Sequence, residues 1–515
     1  MFETAELGRK IPKAEFEEQA LVLRQELLEV QQQLREAGSF PVIVVFAGVD
    51  GAGKGRTVNI LNEWMDPRWL KTRAYGKPSE EEAERPEYWR FWRDLPKKGV
   101  IGMFLSSWYS HPVLDRVYGK IKDAKFDDRL DRILGFENAL AEDGALILKF
   151  WMHLSRDVQK RRLKSLEKDP LTNWRVTEKD WKHWRMYDSF IDAAERTIMR
   201  TSTGKAQWNV VEGMDHRYRS LKVGSEIRDA IRSRLEEIRV HYEVKARLLQ
   251  DEESSNTGTE VAVDSENPAT EPDESPVTVL STLDLSRHLI KRDYQRELKK
   301  YQSRLNYLSR SALANKKSTI LVFEGPDAAG KGGAIRRVTA ALDARNYEVL
   351  PFAAPSDEER AHHYLWRFWR HLSRGGRMTL FDRSWYGRVL VERVEGFATE
   401  QEWRRAYAEI NDFEEQLTEH GIVLMKYWVH IGKDEQLSRF KAREVTPHKR
   451  WKLTDEDWRN REKWDDYAMA VNDIVQHTST KIAPWVLVEG NDKRYARVKV
   501  IRELCERLEK ALEEN

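Results

Sequence analysis

At 515 residues the chain has room for more than one domain. With 34% charged residues and a net charge of only +2, it has no global field to draw it to nucleic acid. Its single cysteine, Cys505, excludes an internal disulfide framework and fits a reducing compartment, the cytoplasm. No apolar run approaches the roughly 18 residues of a membrane span. Residues 1–18 are charged with no apolar core, which argues against a signal peptide.

In chain order, a helix is predicted over Glu15–Glu36, then strands at Val42–Phe46, Val100–Phe104, Leu146–Trp151 and Trp208–Val211. Short apolar runs alternating with helical stretches argue for an α/β fold, a parallel sheet covered by helices on both faces. Asp251 to Leu280 carries nine acidic residues and no basic one. Such a stretch buries no core and reads as a flexible linker. A second helix is predicted at Leu285–Arg310, followed by strands at Ile320–Phe323, Glu348–Phe352, Met378–Phe381, Val423–Trp428 and Trp485–Val488. Both lead-in helices carry apolar residues at helical spacing, suited to packing on the core or on a partner subunit, so a homo-oligomer is expected.

The two halves repeat one another. Gly48-Val-Asp-Gly-Ala-Gly-Lys-Gly55 nearly matches Gly325-Pro-Asp-Ala-Ala-Gly-Lys-Gly332, with an offset of 277 residues from Lys54 to Lys331. The same offset pairs Trp89 with Trp366, Trp108 with Trp385, Trp181 with Trp458, Trp208 with Trp485 and Tyr218 with Tyr495. Chance does not hold one register over so long a stretch. The chain therefore reads as a duplication, with one domain over residues 1–250, a linker over 251–280 and a second domain over 281–515.

Each repeated loop follows a strand and opens a helix, so it offers backbone N–H groups and a helix N-terminus to an anion. The usual phosphate loop ends Gly-Lys-Ser/Thr, with the hydroxyl on Mg²⁺. Here Gly55 and Gly332 replace that hydroxyl, and Asp50 and Asp327 add a carboxylate inside the loop. A carboxylate among phosphates is repulsive unless a cation lies between them, so Asp327 is expected to approach Mg²⁺.

The next strand separates the copies. Met378–Phe381 ends in Asp382 and Arg383, whereas the aligned positions of the first copy are Leu105 and Ser106. Phosphate-loop enzymes place their second metal ligand at such a strand end, and active sites of these sheets lie beyond it. Leu105 cannot bind a metal, so the first copy is expected to fold without catalysing. Arg439 to Lys452 holds six basic residues against one acidic, while its counterpart Arg162 to Arg175 holds four against two. That segment reads as a lid over phosphates. The doubled Trp-Arg-Phe-Trp-Arg, at 89–93 and 366–370, stands in both copies, so it is not specific to catalysis; its tryptophans suit core packing. His362 and His363 lack partners at metal-ligand spacing, which argues against a zinc site.

Together, Gly-x-Asp-x-Ala-Gly-Lys-Gly, Trp-Arg-Phe-Trp, Phe-Asp-Arg-Ser-Trp-Tyr-Gly and the basic stretch ending Lys449-Arg-Trp-Lys452 resemble the polyphosphate kinase 2 family. The resemblance spans the second half end to end, and the first half with departures at Leu105, Ser106, Ser110 and His111. It implies tandem phosphate-loop kinase domains with helical lids, similar in fold to thymidylate and adenylate kinases. The two-copy (class II) members resemble transferases that move the terminal phosphoryl group of inorganic polyphosphate to AMP, giving ADP. Single-copy members mostly act on nucleoside diphosphates. Carried over by position, the resemblance implies that Asp327 and Asp382 bind Mg²⁺ (or Mn²⁺). Lys331 and Arg383 would then hold the transferring phosphoryl group, with Arg443 a lid arginine. Gly325, Ala329, Gly330, Gly332 and Lys441 join Lys331, Arg383 and Arg443 as candidate phosphate contacts, and Ser356, Glu359 and Arg367 are the candidate nucleotide contacts. The rival readings are transfer to nucleoside diphosphates, an ATP-dependent nucleoside monophosphate kinase, and a non-catalytic polyphosphate-binding protein. No base-reading module supports nucleic-acid binding.

Overall fold

The apolar runs form the strands that their patterns predict. The structure, a computed structural model, describes residues 1–255, 278–447 and 453–513. The first sheet contains β1 (Val42–Gly48), β2 (Leu70–Ala74), β3 (Ile101–Leu105), β4 (Leu146–His153) and β5 (Trp208–Glu212), in the order β2-β3-β1-β4-β5. The second contains β6 (Thr319–Glu324), β7 (Tyr347–Pro351), β8 (Met378–Asp382), β9 (Val423–His430) and β10 (Trp485–Glu489), in the matching order β7-β8-β6-β9-β10. Every strand pair in both sheets is parallel.

β6, Thr-Ile-Leu-Val-Phe-Glu, is buried along its whole length at the centre of its sheet. On one face Leu321 and Phe323 share a buried cluster with Leu504 and Leu508 of the helix Lys493–Glu513 and Leu305 and Leu308 of the lead-in helix Lys291–Ala314. Each such buried aliphatic side chain contributes about 1.5–3 kcal/mol. β2 was not anticipated. Its sequence, Leu-Lys-Thr-Arg-Ala, is polar and half exposed because the strand lies at the edge of the sheet, where little apolar surface is needed. The first lead-in helix runs Lys13–Ala37, close to expectation, and the second starts at Lys291 rather than Leu285. Residues 256–277 of the expected linker lie outside the described residues, but its end, Leu280–Thr282, forms a 3-10 turn.

The chain divides into two compact units that follow the duplication with two exceptions. Residues 78–93 belong to the second unit, and residues 361–363 to the first. Trp366 and Trp369 of the doubled motif are buried, as core residues.

A lysine with no exposed surface lies in the fourth strand of each sheet. Lys426 Nζ donates to Glu414 Oε2 at 2.6 Å, to Tyr386 Oη at 3.0 Å and to Thr478 O at 2.7 Å. Glu414 also accepts from Trp385 Nε1 at 3.1 Å and Tyr386 Oη at 2.7 Å. Lys149 and Glu137 repeat the pair at 2.6 Å in the first unit, with Trp108 Nε1 on Glu137 at 2.9 Å. In the second unit this network anchors the loop that leaves β8 directly after Asp382 and Arg383.

Candidate active site

β6 delivers the chain into the phosphate loop through Gly325. Its φ of +145° disfavours any side chain, and a Cβ there would lie 2.3 Å from Val429 O. Glycine therefore lets the loop pass against the end of β9. Ala328 and Gly330 also take positive φ, and Lys331 opens the helix Lys331–Thr339. The loop carbonyls are tied back. Arg439, which is 5% exposed, donates to Ala328 O at 2.9 Å, Ala329 O at 2.8 Å and Gly490 O at 2.6 Å. Gln436 Nε2 donates to Asp327 O at 3.1 Å. Holding the carbonyls behind the loop leaves its N–H groups and the start of the helix for an anion. Arg439, counted from sequence among the lid cations, is thus a brace behind the loop. Lys331 Nζ folds over the loop onto Gly325 O at 2.5 Å and Pro326 O at 3.3 Å.

The parallel register brings the carboxylates to one edge. Asp382 ends β8 opposite Phe323, one residue before Glu324 ends β6. Like its counterpart Ser106 in the first copy, at +50°, Arg383 adopts a left-handed φ, here +66°, a strained conformation. Its guanidinium reaches Asp327 Oδ1 at 3.3 Å, and Asn460 Nδ2 donates to Asp327 Oδ2 at 2.8 Å. Burial works to raise the pKa of Asp327, but Lys331, Asn460, Arg383 and Arg443 together hold it below the usual carboxylate value. Burial likewise works to lower the pKa of Arg383, and Asp327, Glu324, Glu456 and Asp382 overcome it. Glu324, 4% exposed, accepts from Ser384 Oγ at 2.8 Å, and burial raises its pKa against Lys331, Ser384 and Arg383.

A cavity of about 810 Å³, counted out to its mouth, opens beside Glu324, Asp327 and Arg383. Its inner walls are apolar and aromatic, with Leu280, Leu390, Trp428, Trp464 and Tyr467 among them. Arg443 stands on the lid-side helix Lys433–Glu444, 3.9 Å from Asp457, and Lys441 of the same helix is exposed. Residues 448–452, including Lys449, Arg450 and Lys452, lie outside the described residues. Ser356, Glu359 and Arg367 come together in a cluster of their own. Glu359 accepts from Ser356 N at 2.8 Å and meets Arg367 at 3.2 Å, and Arg367 lies over the Phe352 ring at 4.8 Å. None of the three lines the cavity. Among the described residues, no group of three or more His, Cys, Asp or Glu side chains is placed to hold a metal alone, and no helix is long and apolar enough to cross a membrane.

The family model described as polyphosphate kinase 2 matches residues 10–239 and again 288–515. The chain belongs to the polyphosphate kinase 2 family. It is similar to a protein named polyphosphate:AMP phosphotransferase from Pseudomonas aeruginosa, 50% identical over 511 residues, with 99% of each chain covered. A protein of the same name from Pseudomonas syringae pv. tomato is 49% identical over 511 residues, again with 99% of each chain covered. A crystal structure of a polyphosphate kinase 2 from Pseudomonas aeruginosa PA01 aligns over 100% of both chains with a TM-score of 0.86 at 48% identity.

Within this two-copy family member the first loop keeps its shape but not its surroundings. Lys54 Nζ folds onto Gly48 O at 2.6 Å, and Gln159 Nε2 braces Asp50 O at 2.9 Å, as in the second copy. The Glu324 position is Ala47 and the Arg443 position is Leu166, in addition to Leu105 and Ser106. Where Asn460 meets Asp327, the first copy has His183, whose Nδ1 lies 2.5 Å from Asp50 Oδ2 and whose Nε2 lies 2.5 Å from Tyr118 Oη. Sequence reasoning missed Glu324 and Asn460. The signal for both was the same offset of 277 residues, which sets them against Ala47 and His183.

Proposed function

We propose that the chain transfers the terminal phosphoryl group of inorganic polyphosphate to AMP, giving ADP, and that the second unit carries the reaction. The observation that carries this reading is the convergence of Lys331, Asp327, Asp382 and Arg383 on one sheet edge, two of which become Leu105 and Ser106 in the first copy. The choice of polyphosphate and AMP is supported by the full-length relatives named for that reaction.

Polyphosphate lies along Lys331, Arg383 and the lid cations Lys441 and Arg443, with Gly325, Ala329, Gly330 and Gly332 shaping the cradle. A phosphate oxygen of AMP attacks the terminal phosphorus in line. The bond to the bridging oxygen breaks, and a chain one phosphate shorter leaves with the bond's electron pair. AMP has a second phosphate pKa of about 6 and is largely dianionic at neutral pH, so no general base is needed. Positioning and charge stabilisation then supply most of the rate.

The donor set suits a divalent cation. Two carboxylates, Asp327 and Asp382, with no closed cage around them, fit Mg²⁺, which keeps water and substrate phosphates as its other ligands. Such a cation, or Mn²⁺, would neutralise charge on the two phosphates as they meet. The proposal places the enzyme in the cytoplasm, consistent with its one buried cysteine. It also makes the enzyme a homo-oligomer, consistent with the exposed Leu21 and Val22 of the first lead-in helix.

The test mixes the pure chain with polyphosphate, Mg²⁺ and each nucleoside mono- and diphosphate in turn, and resolves the products by chromatography. ADP from AMP without ATP is the expected result. Transfer to no nucleotide would leave a polyphosphate-binding protein instead.

A further inference from the structure

The duplication supplies an internal comparison for the cavity beside Asp327. In the first copy the equivalent place is filled by the chain itself. Phe2, 5% exposed, stacks on His153 with ring centroids 4.5 Å apart and planes 6° apart, and lies 6.1 Å from Trp151. Glu6 Oε1 lies 2.7 Å from His153 Nε2. The segment between them, Glu3–Ala5, is a 3-10 turn.

At the offset of 277 residues, His153 becomes His430, Trp151 becomes Trp428, and Glu3–Ala5 becomes Leu280–Thr282, again a 3-10 turn. The occupant does not carry over. Phe2 becomes Val279 and Glu6 becomes Leu283, which supply neither a ring nor an acceptor oxygen. The second cavity stays open, lined by Leu280, Trp428 and His430. Trp428 is 5% exposed; its Nε1 and Nδ1 of His430 have no hydrogen-bond partner, as is also true of Trp151 Nε1 and His153 Nδ1 in the first copy, so the two copies differ in the occupant and not in these atoms.

We infer that this cavity receives the planar base of the acceptor nucleotide, stacked against His430, with the nucleotide's phosphate end toward Asp327 and Arg383. The first copy shows the chemistry that its walls accept: a flat ring on the histidine and an acceptor atom at the histidine Nε2. A purine offers both, a π-face for stacking and ring nitrogens that accept hydrogen bonds. Burial lowers the pKa of His430 to about 4. At neutral pH it is an uncharged imidazole with one N–H to give, suited to an uncharged base.

The inference rests on AMP being the acceptor, and the experiment separates the two. Steady-state transfer from polyphosphate to AMP is measured for the full-length chain and for His430→Ala, Leu280→Trp and Arg367→Ala, each checked for folding by thermal melting. A wild-type chain that makes no ADP overturns the proposed function itself. With wild-type transfer in hand, His430→Ala is expected to raise KM for AMP roughly tenfold, the size of one lost base-stacking contact, with KM for polyphosphate unchanged. Leu280→Trp fills the cavity and is expected to remove AMP binding while polyphosphate binding remains; it decides the matter if His430→Ala does not fold. An unchanged KM for AMP in the folded cavity variants, with a raised KM in Arg367→Ala, overturns the inference and moves the base to the Ser356–Glu359–Arg367 cluster.

Discussion

Replacing Glu414 with glutamine keeps the outline of the side chain but removes the charge facing Lys426. Lys426 has no exposed surface and Glu414 is 1% exposed. Burial pushes the lysine pKa down and the carboxyl pKa up, so each keeps its charge through the other. The variant leaves a buried ammonium facing a neutral amide, with Tyr386 Oη and Thr478 O as its other acceptors and no opposite charge. Breaking one side of such a pair costs about 3–5 kcal/mol, which for a unit of this size lowers the melting temperature by roughly 10 °C. Glu137→Gln does the same to Lys149 in the first unit, at the same 2.6 Å separation. The two variants should therefore destabilise alike. They should differ in turnover, because only Glu414 anchors a loop that carries Asp382 and Arg383. Calorimetry for stability, and ADP formation well below both transitions, checks this. Equal loss of turnover in the two folded variants, or a cost below about 1 kcal/mol for Glu414→Gln, would refute the reasoning.

Other outcomes follow from the same geometry. Gly325→Ala puts a methyl group 2.3 Å from Val429 O and should cost more than about 2 kcal/mol in urea unfolding. At Gly332 a Cβ meets nothing within 4 Å, so Gly332→Ser should unfold within about 0.5 kcal/mol of wild type in the same assay. The acid limb of kcat/KM for AMP should lie near pH 6, where the acceptor phosphate gains its proton and transfer falls. Asp327, held below the usual carboxylate value, stays ionised through that range. The limb should therefore move with the pKa of a thiophosphate acceptor, and a fixed limb would contradict the mechanism. Restoring the two lost charges with Leu105→Asp and Ser106→Arg, in a chain silenced by Asp327→Ala, should give no ADP. His183 still engages Asp50 and Phe2 still fills the cavity; recovered turnover would show that those two charges alone separate the copies.

Much of the fold was legible because buried parallel strands must be apolar. Ile320–Phe323 and Val423–Trp428 announced β6 and β9, falling short by Thr319 at the start of β6 and at the C-terminal ends of both. Those ends carry Glu324 and His430, polar residues that an apolar pattern excludes and that border the site. β2 escaped because an edge strand needs little apolar surface. The loop lysines and the pair Asp382 and Arg383 were legible from composition and the repeat. The role of Arg439 was not, since a count of charges cannot separate a guanidinium braced against carbonyls from one that faces solvent. The plug of the first copy was invisible for another reason. Val279 has no ring to match that of Phe2, and only folding brings Phe2 onto His153.

The division of labour between the copies is tested most directly by ADP formation from polyphosphate and AMP by Asp50→Ala and Asp327→Ala in otherwise identical full-length chains. The two aspartates occupy equivalent places in equivalent loops, braced by Gln159 at 2.9 Å and Gln436 at 3.1 Å. If the second unit alone carries the reaction, Asp327→Ala lowers kcat by roughly a hundredfold or more, while Asp50→Ala leaves it near the wild-type value. Equal losses in the two folded variants would contradict that division of labour.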